Sequence, residues 1–220
     1  MTKRRPIHKL IDEQIKRWEL GKHKEEPLAE TRSVITISRE SGSQGLELAG
    51  MLSKAMEFDL FDNEILEAMI EASRNSRVLL ETLDEKKIGF VDDLVSSVVN
   101  EHHLWPDEYS KLLLKIIGTI GKHGRAVIVG RGANFVLTRI NALRIRIVAP
   151  FEIRKEYIMK TRGLSAEDAK KYVISTDSNR NAFVKRYFNY NISEPSYYDM
   201  VLNTGTLSLE KAVMLVREAL

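Results

Sequence analysis

An α/β fold built on a parallel sheet, with helices on both faces, is what this sequence predicts, and three observations carry the prediction. Five short apolar or β-branched runs (34–37, 58–61, 126–130, 143–148 and 198–202) are spaced along the chain, and nearly all lead into stretches of helical periodicity. Alternation of this kind places parallel strands between layers of helix. The chain has 220 residues, 43% of them apolar, which suffices for one domain with a substantial core. It has no cysteine, so disulfide frameworks, cysteine zinc sites and thiol nucleophiles are excluded.

In order along the chain, Ile7, Leu10, Ile11, Ile15 and Trp18 have helical spacing, and 21–30 reads as a charged linker. Residues 1–32 are thus expected to be an appended helix and linker before a domain over 33–220. That domain opens with Val34-Ile35-Thr36-Ile37, followed by a turn containing Gly42 and Gly45 and a helix over 46–56. Residues 62–123 are almost wholly helical in pattern, broken at Trp105-Pro106-Asp107, and read as an inserted helical subdomain. The runs 126–130, 143–148 and 198–202 supply the remaining strands. The cluster Tyr187, Phe188, Tyr190, Tyr197 and Tyr198 is expected to pack on the sheet. His102 and His103 face apart and lack a third ligand nearby, which makes them a surface loop rather than a metal pair.

No apolar run reaches the roughly 20 residues needed to cross a bilayer, and charged residues stand where a leader would place its apolar core. A cytoplasmic protein without a membrane partner is expected. Net charge is only +3, but residues 125–190 hold 14 basic and 5 acidic residues, whereas 33–124 hold 9 and 16. A basic segment of that size calls for an anionic partner. The interleaved acids and the lack of a base-stacking aromatic series favour a nucleotide or other phosphorylated small molecule over nucleic acid. Oligomeric state is not encoded legibly.

Arg39-Glu40-Ser41-Gly42-Ser43-Gln44-Gly45 leaves a strand and enters a helix, where backbone N–H groups and the helix dipole bind phosphate. It is not a Walker A loop, because that motif places Lys after its last Gly and then Ser or Thr. Here Leu46 and Glu47 follow Gly45. An ordinary Gly-rich turn is the plain alternative.

The strings ITISRESGSQGLELA, FDNEILEA, VIVGRGANFVL, RIRIVAPFEIRKEYIMKTRGLSAEDAKKYV, DSNRNAFVKRYFN and YYDMVLNT, in this order from Val34 onward, resemble the cytidylate kinase-like family of P-loop proteins. The resemblance implies a P-loop NTPase-type sheet of five parallel strands, a phosphate loop at Ser41, Gly42, Ser43, Gln44 and Gly45, a helical insert that binds the monophosphate, and a basic lid over 151–180. It further implies transfer of a phosphoryl group from ATP to a CMP-type nucleoside monophosphate or related acceptor, with Mg2+ accompanying the nucleotide. Members of this branch lack the Walker lysine. Departures particular to this chain are Gln44, where the family commonly has Gly, Leu46, where it commonly has a basic residue, and Val129, where cytidylate kinases have an aspartate.

Phosphoryl transfer rests on positioning and charge neutralisation, so the residues to consider are cations. Matched to the family, Arg39 lies in the loop and Arg131 in the Gly-Arg pair that meets the monophosphate. Asp177 and Arg180 bind the acceptor, and Arg154, Lys160 and Arg162 form the lid. Arg39, Arg131 and Arg162 are the catalytic candidates. Asp62 and Asn63 fall where the family touches the base, although Asp62 equally suits a helix N-cap. Glu47 is the one candidate metal ligand, or else simply complements the helix dipole. The alternative function is a nucleotide-binding or sensing protein that kept this fold and lost catalysis.

Overall fold

The computed structural model describes residues 9, 11–14, 16, 33–75, 96, 107–138 and 142–220. His102, His103 and the Trp105-Pro106 break lie outside them, as does most of the appended helix and linker. Residues 9, 11–14 and 16 are helical, and Ile11 is buried in the main core.

Five strands form one sheet: β1 (Val34–Arg39), β2 (Asp59–Phe61), β3 (Ala126–Val129), β4 (Ala142–Val148) and β5 (Met200–Asn203). Their order is β2-β3-β1-β4-β5, and every pairing is parallel. The helices are α1 (Gly45–Met56), α2 (Asn63–Asn75), α3 (Glu108–His123), the short α4 (Ala133–Val136), α5 (Phe151–Arg162), α6 (Ala166–Phe188) and α7 (Leu209–Glu218). These are the five expected strands, with boundaries shifted by one or two residues.

Alternation along the strands separates two cores. Val34, Phe61 and Ile128 face α2, α3, α4 and the end of α6. Ile35, Ile37, Val127, Val129, Leu143, Ile145 and Ile147 face α1 and α7. Both faces are covered, as a parallel sheet requires. Phe135 joins Phe188, Tyr190 and Tyr197 with ring centroids 4.7–5.6 Å apart, so these aromatics pack in the core as expected.

Helix ends follow their sequence signals. The Asp107 carboxylate accepts from the Ser110 N–H at the start of α3. Ser165 accepts from the Asp168 N–H and donates to its carboxylate, opening α6. Asn189 closes α6 in the left-handed conformation. With 23 residues, α6 is roughly 35 Å long and runs past the carboxyl end of the sheet.

The chain leaves β1 toward β2 on one side and leaves β4 toward β5 on the other. Adjacent parallel strands whose connections diverge open a crevice at their carboxyl ends. That crevice lies between Arg39 and Ile147, which are paired in register.

Candidate functional site

The last residue of β1, Arg39, sits in the crevice under a close backbone. A methyl group on Gly130 would lie 2.2 Å from Arg39 Nη1. Gly130 also has a φ of +82°, so the end of β3 tolerates no other residue beside this guanidinium. Arg131 and Gly132 continue the left-handed run, at +51° and +69°. A non-glycine residue held there costs of order 1 kcal/mol, and the result is to aim Arg131 into the same cleft.

That cleft has a volume of about 350 Å³, within the range of small-molecule sites. Arg39, Arg131 and Arg180 line it, with Asn63, Asn134 and Asn179 between them. Among the described residues that line it, none is a carboxylate. Thr176, Asn179, Arg180 and Phe183 reach it from one stripe of α6, three or four residues apart.

Charge in the cleft is incompletely balanced. Burial, reinforced by the neighbouring Arg180 and Arg131, pushes the Arg39 guanidinium down to about 9, against weaker support from Asp62 and Asp177. Among the described residues Arg131, Arg146, Arg154 and Arg180 each have a carboxylate within 4.0 Å, and Arg39 has none. Burial also lowers Arg180, whose Nη1 donates to the Arg39 carbonyl at 3.1 Å. The Arg131 Nη2 meets Glu67 at 2.7 Å, and its guanidinium lies 4.9 Å over the Phe183 ring. Tyr109 donates to the same Glu67 oxygen, 2.7 Å away.

The loop after β1 is closed in this conformation. The Asp177 carboxylate accepts the Ser41 N–H at 2.7 Å and the Arg154 Nη1 at 2.6 Å. Arg154 Nη1 also donates to the Ser41 carbonyl, and Nε to the Ala149 carbonyl. Glu40 completes the network, 3.3 Å from Arg154 Nε and accepting the Ala149 N–H. The Ser43 hydroxyl donates to the Glu40 carbonyl, and Thr204 donates to the Ser43 carbonyl. Gly42 has φ +80°, and a methyl there would lie 2.4 Å from the Arg154 carbonyl oxygen. Gln44 makes no side-chain cap on α1, so it satisfies none of the first N–H groups of that helix, which have no intrahelical acceptor.

The predicted residues therefore divide. Arg39, Asn63, Arg131 and Arg180 meet in the central cleft, and Asp177 lines the adjoining cleft with Glu40 and Arg146. Ser41, Gly42, Ser43, Gln44 and Gly45 form the loop but do not line these clefts. Arg154, expected on a lid, is only 9% exposed and braces the loop from beneath. Lys160 and Arg162 are exposed and outside the clefts, with Arg162 stacked 4.4 Å over Tyr172. Asp62 is buried and accepts the Ile65 N–H at 3.0 Å, which is the N-cap reading.

Glu47 accepts a hydrogen bond from the Tyr157 hydroxyl, and burial together with this bond raises the Tyr157 phenol. Leu46 offers no cation where the family commonly has one, and the fully buried Val129 offers no oxygen where cytidylate kinases have an aspartate. Among the described residues no group of three acidic or histidine side chains is placed to hold a metal ion. Any Mg2+ here would therefore arrive on the phosphates of a nucleotide, with at most one or two protein oxygens among its ligands.

Sequence reasoning missed Glu67, Asn134, Asn179, Phe183 and Arg146. Arg146 is 6% exposed in β4, donating to Ser38 at 3.0 Å and lying 5.8 Å over the Tyr198 ring. Its signal was available: Arg144 and Arg146 alternate with Leu143, Ile145 and Ile147 in a strand covered on both faces. A charge so placed needs a partner.

The pattern that defines the cytidylate kinase-like family matches residues 34–206. The chain belongs to the cytidylate kinase-like family. It is 31% identical over 100 residues to the cytidylate kinase of Pyrococcus horikoshii, covering 45% of this chain and 51% of that protein. It is 29% identical over 104 residues to that of Methanocaldococcus jannaschii, covering 46% and 58%. The chain thus spans only about half the length of these curated relatives. Among solved structures, an uncharacterized protein from Eubacterium ventriosum superposes with a TM-score of 0.68 at 18% identity, over 86% of this chain and 98% of that one. This likeness concerns the fold. Among the described residues no helix is long and apolar enough to cross a membrane.

Proposed function

We propose that this protein is a phosphotransferase that moves a phosphoryl group from ATP to a nucleoside monophosphate of the CMP type or a related small acceptor. One observation carries the reading: three guanidinium groups, those of Arg39, Arg131 and Arg180, line one carboxylate-free cleft at the carboxyl end of the sheet. Guanidinium forks suit phosphate oxygens, and the least compensated of the three, Arg39, gains most from an arriving anion. In this reading Arg131 and Arg180 hold the acceptor phosphate, and Arg39 faces the charge shared between acceptor and donor. The first N–H groups of α1 receive the donor phosphates once Asp177 has left Ser41. The acceptor is already an anion, so no general base is required of the protein. The amide-bearing Asn63 and Asn179 suit the polar edge of a base or sugar. On this reading 33–220 is the catalytic domain, 62–123 the acceptor-binding insert and 151–180 the lid.

A second reading, a nucleotide-binding protein without turnover, is favoured by the Asp177 carboxylate on the Ser41 N–H and by the missing Walker lysine. The deciding assay is ADP release from Mg-ATP against a panel including CMP, dCMP and UMP, alongside calorimetry for binding. Acceptor-dependent turnover that Arg131→Ala abolishes upholds the kinase. Saturable binding with no turnover for any acceptor rejects it in favour of the second reading.

A further inference from the structure

The backbone that carries Arg131 has little room to shift. A methyl on Gly130 would lie 2.2 Å from Arg39 Nη1, and one on Gly132 would lie 2.1 Å from Phe188 Cε2. These contacts fix the Cα and leave the long side chain to be aimed by its neighbours. The Arg131 Nη2 lies 2.7 Å from Glu67 Oε1 on α2, and the Tyr109 hydroxyl on α3 donates to the same oxygen at 2.7 Å. The Phe183 ring on α6 lies 4.9 Å from the guanidinium, and Tyr187 stands 4.7 Å from Phe183 and 5.8 Å from Tyr109. Burial and the bond to Glu67 push the Tyr109 phenol up, so it stays a donor. Glu67 and Tyr109 line a second cleft, which shares Arg131 and Phe183 with the central one, but they do not line the central cleft themselves.

We infer that Glu67 and Tyr109 are positioning residues: they touch no ligand of the central cleft and set the plane of the Arg131 guanidinium that does. The inference rests on the reading under Proposed function for what Arg131 meets. The pair is a poor device for stability, because the Glu67 side chain is 38% exposed and that of Arg131 24%, and an ion pair this wet contributes little. It also spends part of a cation's charge beside a cleft that attracts anions. What it supplies is orientation. A planar fork recognises phosphate only when its plane is held within about 10–20° of the productive one, and a carboxylate itself fixed by a phenol supplies that hold. Glu67 and Tyr109 both belong to the helices inserted between β2 and β3, so the insert aims a cation that the turn after β3 carries.

Orientation and stability separate in a set of four variants: Glu67→Ala, Glu67→Gln, Tyr109→Phe and the double variant Glu67→Ala/Tyr109→Phe. Each is compared with the unmodified protein by thermal unfolding, by calorimetry with CMP and with inorganic phosphate, and by turnover of CMP with Mg-ATP. Glu67→Ala should melt within a few degrees of the unmodified protein and bind CMP roughly ten- to a hundredfold more weakly, the scale of a misplaced binding group. Inorganic phosphate, which has no second part to keep in register, should bind at least as tightly, because a neighbouring negative charge has gone. Glu67→Gln keeps an oxygen that accepts both bonds and should recover most of the CMP affinity. Tyr109→Phe should lose less than Glu67→Ala, and the double variant no more than Glu67→Ala alone, since Tyr109 acts only through Glu67. The role is overturned if Glu67→Ala binds CMP normally, if its phosphate affinity or melting temperature falls in step with its CMP affinity, if Glu67→Gln rescues nothing, if the two single losses simply add, or if the unmodified protein does not bind CMP. Glu67-dependent CMP affinity in a protein without turnover upholds the positioning role and rejects the kinase, whereas CMP turnover in a protein whose Glu67→Ala variant binds CMP normally does the reverse.

Discussion

Replacing Arg39 by Met should make the ligand-free protein more stable while removing its affinity for phosphate. The Arg39 guanidinium is pushed down from its ordinary value to about 9, by burial first and then by Arg180 and Arg131. At about 1.4 kcal/mol per pH unit, that displacement corresponds to roughly 5 kcal/mol held against folding. Met keeps most of the stem that packs beside Gly45, and the altered shape costs about 1 kcal/mol. A net gain of roughly 3–4 kcal/mol raises the melting temperature of a domain this size by about 10 °C. The assay is calorimetric unfolding near neutral pH in a chloride buffer free of phosphate. The pH dependence has a definite sign. The folded value lies below the unfolded one, so between them the unfolded chain holds more protons and stability rises with pH. The penalty is full below pH 9 and fades above it, and the advantage of Arg39→Met should narrow over the same interval. A variant that melts below the unmodified protein near neutrality, or an advantage that grows above pH 9, refutes the account of Arg39 as a cation held for a ligand.

Two further substitutions probe the loop. Gly42→Ala sets a methyl 2.4 Å from the Arg154 carbonyl oxygen at a φ of +80°; we expect a loss of about 3 kcal/mol or more and weaker ATP binding, both read from melts with and without nucleotide, and an unchanged melt would show that the loop does not rest on α5. Arg154→Met leaves Asp177, Glu40 and two carbonyl oxygens without their cation, which costs roughly 3–5 kcal/mol, whereas a solvated lid residue would change the melting temperature by little.

The sheet was legible because its determinants are local. Val34 to Ile37 and Ala126 to Val129 are β-branched or aliphatic throughout and stand beside Gly-bearing turns, so pattern alone locates them. The cleft was legible in part, since Arg39 and Arg131 each sit next to a recognisable glycine turn, and Arg180 falls on a matched motif. What pattern cannot show is pairing across the chain. Arg154 looks like one cation of a solvated basic helix until Ser41 and Asp177 are brought to it from 113 and 23 residues away. Glu67 is one acid among many in the insert until Arg131 reaches it. Asn134 carries no local signal at all, because its burial beside the cleft exists only once everything around it has been placed.

Asp177 gives the loop a threshold. An anion that takes the Ser41 N–H must first release a carboxylate already held there at 2.7 Å, and that carboxylate is tethered, so its local concentration far exceeds that of any free monovalent ion. Acetate or chloride competes poorly against it. In the proposed function a polyphosphate that also reaches the neighbouring guanidinium groups would bring additional contacts, and Arg154, which holds the same Asp177 carboxylate at 2.6 Å, would keep it close by. On the proposed reading, Asp177 is thus a resident competitor that would admit an anion according to how many groups it can engage at once.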